Sequence, residues 1–136
     1  MSVSRDPRPH ILTWREVLPH PSWNAESDAV VWIDPGLFDA AWRRGTQWMS
    51  PGGRTGAQGD RYRRIGEWID AGNAIDMCVA WMIEDGVGFT NGRHRFAWLR
   101  DRGLRAMPMQ IAPTDAGAFA KLFGTGLRIS ILPTRS

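Results

Sequence analysis

The sequence predicts one small α/β domain of the α+β kind, a mixed sheet with helices packed on it. Three observations lead there. Short apolar runs alternate with segments whose apolar residues recur at helical spacing. A two-residue hairpin signal, Asp85-Gly86, stands between two of those runs and requires antiparallel pairing. A chain of 136 residues, 43% apolar and 23% charged, can bury one core and lacks the composition of a disordered segment.

The elements follow in order. Residues 1–28 are rich in Pro, Ser and charge and read as an irregular arm. "AVVWI" (29–33) reads as a buried strand. Asp34-Pro35 supplies an N-cap and a first-turn proline for a helix over 35–44, with Leu37, Phe38, Ala41 and Trp42 on its apolar face. The stretch 45–60 holds five glycines and a proline and reads as a long loop. It is not a P-loop, because no Lys-Ser or Lys-Thr follows the glycines. Asp60 is placed to cap a helix over 61–71 that stops at Gly72.

"DMCVAWMI" (76–83) reads as a central strand, and "VGFT" (87–90) returns beside it. A helix over 92–102 stops at Gly103. A strand over 104–111 follows, with Pro108 marking an edge or a bulge. Thr114 or Asp115 starts a last helix that ends at Gly124, and 127–133 offers a final strand.

Composition narrows the function classes. No apolar run approaches the ~20 residues that cross a bilayer, and "MSVSRDPRPH" lacks the apolar centre of a signal peptide. The expected compartment is the cytoplasm, with no membrane insertion. The single cysteine, Cys78, cannot form an internal disulfide and reads as a small buried residue apart from any site. The net charge is +3, and Lys121 is the one lysine among seventeen basic residues. Arginine binds phosphate through a planar fork, so the bias fits a phosphate-bearing partner; it fits equally a genome that favours arginine codons. The eight tryptophans are spread along the chain and read as core and sub-surface packing rather than one aromatic platform.

"TNGRHR" (90–95) carries the chemistry. Here Thr90 and Asn91 end a strand, Gly92 turns the chain, and Arg93, His94 and Arg95 occupy the first turn of a helix. Free N–H groups and the partial positive charge of a helix start favour anions, so cations placed there are disfavoured until an anion arrives. The arrangement reads as a phosphate cradle; the plainer alternative is a solvated cationic helix end with a core histidine.

The run "DGVGFTNGRHRFAWLRDRGLRAMPMQI" resembles the signature segment of the ParB/sulfiredoxin fold, with Arg95, Phe96, Ala97, Gly103 and Pro108 in matching places. A wider pattern over about residues 29 to 124 resembles the plasmid fertility inhibition factor family, the family of Osa and FiwA. "LFDAAWRRG", "PGG", "GDRYRRIGEWIDAG" and "FTNGRHRFAWLRDRG" keep its order and spacing. The resemblance implies a ParB/sulfiredoxin-like domain over 29–136 and a turn that holds nucleotide phosphate, which is CTP in ParB and ATP in sulfiredoxin. It implies ATP or CTP with Mg2+ as cofactor, nucleotide or DNA as partner, and interference with conjugative DNA transfer at the type IV coupling protein or its DNA substrate. Osa-like members are associated with ATPase and DNase activity.

Two departures matter. Arg93 stands where sulfiredoxin has its reactive cysteine, which argues against reductase chemistry. The acidic residue and helix-turn-helix region of ParB proteins are missing too.

For hydrolysis, His94 is the candidate general acid or base and Asp60 the candidate carboxylate. Glu67, Glu84 and Asp85 are weaker choices for a metal, and no ligand cluster assigns one. Arg61 and Tyr62 join Thr90, Asn91, Gly92, Arg93, His94 and Arg95 as phosphate-binding candidates if the glycine loop folds over the turn. The competing function class is a non-catalytic interaction module whose basic face docks on an acidic protein.

Overall fold

The computed structural model describes residues 10–18, 27–53, 57–84 and 86–133. A four-stranded mixed sheet is its centre. β3 (Ala29–Ile33), β7 (Met107–Ile111), β5 (Cys78–Ile83) and β6 (Gly86–Asn91) lie in that spatial order. The β3–β7 and β5–β6 pairs are antiparallel and the β5–β7 pair is parallel. The helices are α1 (Pro35–Trp42), α2 (Ala57–Asp70), α3 (Arg93–Asp101) and α4 (Ala116–Phe123). This is the mixed α+β architecture predicted, and its main elements follow the predicted order.

The core is aromatic. Phe38 of α1 packs on Phe89, Phe96, Phe119 and Phe123 with ring centroids 5.2 to 5.9 Å apart. Trp42 adds edge contacts to Phe89 and Phe96. Of the expected α1 face Phe38 and Trp42 are buried and Ala41 partly so, whereas Leu37 is 50% exposed, and the Asp34 carboxylate accepts the Gly36 N–H as its cap. Tilted and edge-to-face rings add to the area they bury, because ring edges are positive and faces negative. α3 presents Phe96 to this cluster, which fixes its rotation and hence the direction of its first turn.

Several boundaries differ from the sequence reading. Residues 10–15, expected within an irregular arm, contain β1 (His10–Ile11), paired with β8 (Ile131–Leu132), and β2 (Trp14–Arg15), paired with β4 (Ile75–Asp76). Leu12 is buried, and Trp14 Nε1 donates to Ser130 Oγ. The Gln110 amide bonds both the N–H and the carbonyl of Val17. Long-range partners hold this segment, and local sequence does not display them.

α2 starts at Ala57, so Asp60 lies in its first turn instead of capping it. The strand expected over 104–111 begins at Met107, and Pro108 sits in an interior strand, not at an edge. The ladder from β7 to β5 starts only at Met109, so the proline ring falls where one side of the strand is not yet paired. Gly86 is already paired with Ile83, one residue earlier than the Asp85-Gly86 turn implied; Asp85 lies outside the described residues. The final strand is shorter than expected, covering Ile131–Leu132. Trp42 and Trp98 are buried as expected of the tryptophans, but Trp68 is 52% exposed.

Candidate functional site

β6 ends at Asn91 and α3 begins at Arg93, with Gly92 between them at φ 98°. That backbone is left-handed, and side chains with a Cβ adopt it rarely. Space enforces the choice as well: a Cβ on Gly92 would stand 2.8 Å from both Cys78 Sγ and Arg95 Nη2. No side chain caps the start of α3. The first-turn N–H groups therefore lack the side-chain acceptor that most helix starts carry.

Thr90 and Asn91 are exposed, and Gly92, Arg93 and Arg95 are half-buried. The backbone thus groups four of the predicted phosphate residues with both arginines at one turn. Among the described residues neither Arg93 nor Arg95 has an acidic partner. Arg95 Nε and Nη2 are buried and meet no hydrogen-bond acceptor of adequate geometry, the Cys78 sulfur beside them being only a weak one. A buried guanidinium nitrogen without an acceptor is costly, and an anionic oxygen is its natural complement. His94 is buried at 7% exposure, beneath the turn instead of on its surface.

Cys78 corrects the sequence reading. It is not remote from the turn but forms its floor: the thiol donates to Gly92 O at 3.3 Å. Burial pushes its pKa from 9.0 up to about 11, against the pull of the Arg95 guanidinium beside it. The thiol is protonated at neutral pH. It supports the turn as a neutral donor and does not act as a nucleophile. Counting back from the hairpin turn would have found it. The β5–β6 register pairs Trp81 with Gly88 and, past a bulge after Val79, brings the start of β5 to the end of β6.

Asp60, Arg61 and Tyr62 lie elsewhere. The Tyr62 hydroxyl donates to Asp101 Oδ2 at 2.6 Å, and the same oxygen accepts the Gly52 N–H. Burial, followed by this carboxylate, raises the Tyr62 pKa well above the usual phenol range. Asp101 ends α3, about 12 Å along the axis from Arg93 at 1.5 Å per residue. The described part of the glycine loop is thus fastened through Gly52 to the far end of the helix and through the Gln47 amide to the N–H and carbonyl of Phe89 on β6, and Tyr62 is held at the far end, away from Arg93. Gly66 permits this packing, since a Cβ there would strike the Trp98 indole. Asp60 is exposed and pairs with Arg63, so it is not brought to His94. Arg61 is exposed. Among the described residues no three His, Cys, Asp or Glu side chains are grouped to hold a metal ion.

The hub at that far end was not foreseen. Arg100 donates to Asp39, to the Met49 carbonyl and to Asp101 at 2.6 to 3.0 Å. Arg102 pairs with Asp70 and lies over the Trp98 ring. Among the described residues no helix is long and apolar enough to cross a membrane.

Comparison with known proteins places these features. A family model described as plasmid fertility inhibition factor matches residues 77–124, the stretch from the floor of the turn to the end of α4. The fold is similar to the crystal structure of Oncogenic Suppression Activity Protein, a plasmid fertility inhibition factor solved as a gold(I) cyanide derivative. The TM-score is 0.62 at 20% identity, over 85% of this chain and 71% of that one. A search of curated proteins finds no match. The resemblance seen in the sequence is borne out: this chain is similar to the plasmid fertility inhibition factors, by sequence in the segment that holds the turn and by fold over most of its length.

Proposed function

We propose that this protein is a fertility inhibition factor that binds the phosphate of a nucleotide or of DNA at the turn Thr90–Arg95 and thereby restrains conjugative DNA transfer. The observation that carries this reading is Arg95, whose Nε and Nη2 are buried without an acceptor at the uncapped start of α3. A phosphate oxygen would complete Arg95, accept N–H groups at the uncapped start of α3 and pair with Arg93. Gly92, lacking a Cβ, lets Arg95 Nη2 lie close against the turn.

Any hydrolysis would rest on charge neutralisation by the two arginines and on Mg2+ carried in with the nucleotide, since Mg2+ often binds through one or two carboxylates and the phosphates themselves. His94 could serve as acid or base only after its ring is uncovered. A titration with ATP, CTP and GTP, with and without Mg2+, tests the reading. Saturable binding that Arg95→Ala weakens by ten-fold or more is expected. Absence of binding to every nucleotide and to DNA at low salt would refute it.

A further inference from the structure

We propose that the outward face of α2 is a docking surface for single-stranded nucleic acid, with Arg61 and Arg64 holding phosphates and Trp68 stacking on a base. The surface is separate from the turn and does not rest on that assignment. Residues 61, 64 and 68 stand at i, i+3 and i+7, so they share one side of the helix. The buried side is set by Tyr62, Gly66 and Ile69, which face α3 and the core.

All three outward side chains are exposed. The acids of the same helix are each paired with an arginine outside the stripe, although Asp60 and Glu67 remain exposed beside it. Arg63 takes both Asp60 and Glu67, and Asp70 pairs with Arg102. Among the described residues Arg61 and Arg64 are left without an anionic partner. Trp68 remains 52% exposed, although its indole N–H is satisfied by the Ala74 carbonyl. The ring is therefore held by its edge with apolar surface open to solvent.

Charge alone would suit an acidic protein segment. The tryptophan decides between the partners, because a fixed ring among free guanidinium groups matches the alternation of base and phosphate in an unpaired strand. A duplex keeps its bases stacked on each other and offers the ring nothing. The stripe spans about 10 Å of helix axis, enough for a strand to meet both an arginine and the ring.

The test is fluorescence anisotropy of a labelled oligo-dT, about twenty nucleotides long so that it exceeds one stacking platform, across a salt series. The proteins are wild type, Trp68→Leu, Trp68→Phe, the double variant Arg61→Gln/Arg64→Gln, and Arg93→Ala. Each replaced α2 side chain is exposed, and thermal melts check that each variant folds. Trp68→Leu should weaken binding about ten-fold, Trp68→Phe should restore most of it, and duplex binding should not change. The double glutamine variant should lower the slope of log affinity against log salt by about 1.4, for two lost phosphate contacts at ~0.7 each. The proposal is overturned if wild type does not bind, or if Trp68→Leu binds as wild type does. It is also overturned if only Arg93→Ala loses binding, or if polyglutamate binds as tightly and displaces the strand.

Discussion

At the C-terminal end of α3, Arg100 donates to two carboxylates and a carbonyl, Arg102 reaches Asp70, and Asp101 accepts from Tyr62 and Gly52. At the N-terminal end, Arg93 and Arg95 have no carboxylate among the described residues, and two nitrogens of Arg95 are buried without an acceptor of adequate geometry. The helix dipole sharpens the contrast. It favours cations at the first of these ends and disfavours them at the second. The fold thus gives its arginines carboxylate partners where they hold elements together, even though Arg100 Nη2 meets Asp101 as an ion pair without good hydrogen-bond geometry, and among the described residues it gives the arginines of the turn none. One helix has a structural end and an end we propose for binding, and the same residue type stands at both.

The largest effect should come from breaking the structural end. Arg100 is only 10% exposed and joins α1, the loop before α2 and α3 itself. Arg100→Leu removes the cation between Asp39 and Asp101, which keep only the neutral donors Trp48, Tyr62 and Gly52, and should cost about 3 kcal/mol, as for other partly buried pairs that lose one member. Chemical denaturation measures this. A loss below about 1 kcal/mol would mean that the hub does not hold the loop. Next is Gly92→Ala, which combines left-handed backbone strain with the close approach of Cys78 and Arg95. A loss of about 1–3 kcal/mol is expected, together with weaker phosphate binding because Arg95 must move. An unchanged protein would show that the turn is more adaptable than its geometry indicates.

Tyr62→Phe sharpens the comparison from the other side. It removes the bond to Asp101 and should cost about 1 kcal/mol while leaving phosphate affinity unchanged. Altered affinity would reconnect the two ends of the helix. The smallest effect concerns pH. The folded Cys78 thiol holds its proton up to about 11, whereas the unfolded thiol releases it near 9.0. The group's contribution is fully present below pH 9 and is lost as pH rises through 11. Cys78→Ser should therefore flatten the fall in stability over that window. An identical fall in both proteins would remove the thiol as its cause.

How much of this was legible in the sequence depends on the range of the contacts. The α1 cap at Asp34, the β5–β6 hairpin and the turn at Gly92 depend on neighbouring residues, and local pattern displayed all three. Arg95 and Arg100 are the same residue type five positions apart on one helix. Only the fold distinguishes them, because the partners of Arg100 come from Asp39 and Met49. For the same reason Tyr62 was grouped with the turn: nothing in "GDRYRR" shows that the loop before it is fastened to Asp101. Cys78 was set aside by its distance in sequence, which the hairpin cancels. The tie of residues 10–18 to β4, β8 and Gln110 likewise rests on contacts that cross the chain.

The central claim is that the cations at the start of α3 are there for an anion, and Arg93→Glu tests it most directly. Melts of wild type and variant, each with and without ATP or CTP and Mg2+, separate stability from binding. Without ligand the variant should be more stable by ~0.3–1 kcal/mol, because the dipole favours an acid at that position. With ligand, wild type should gain stability and the variant should gain little, so that the two proteins exchange order. A variant that melts lower without ligand and is stabilised by nucleotide as much as wild type would make Arg93 a structural residue and would contradict the account.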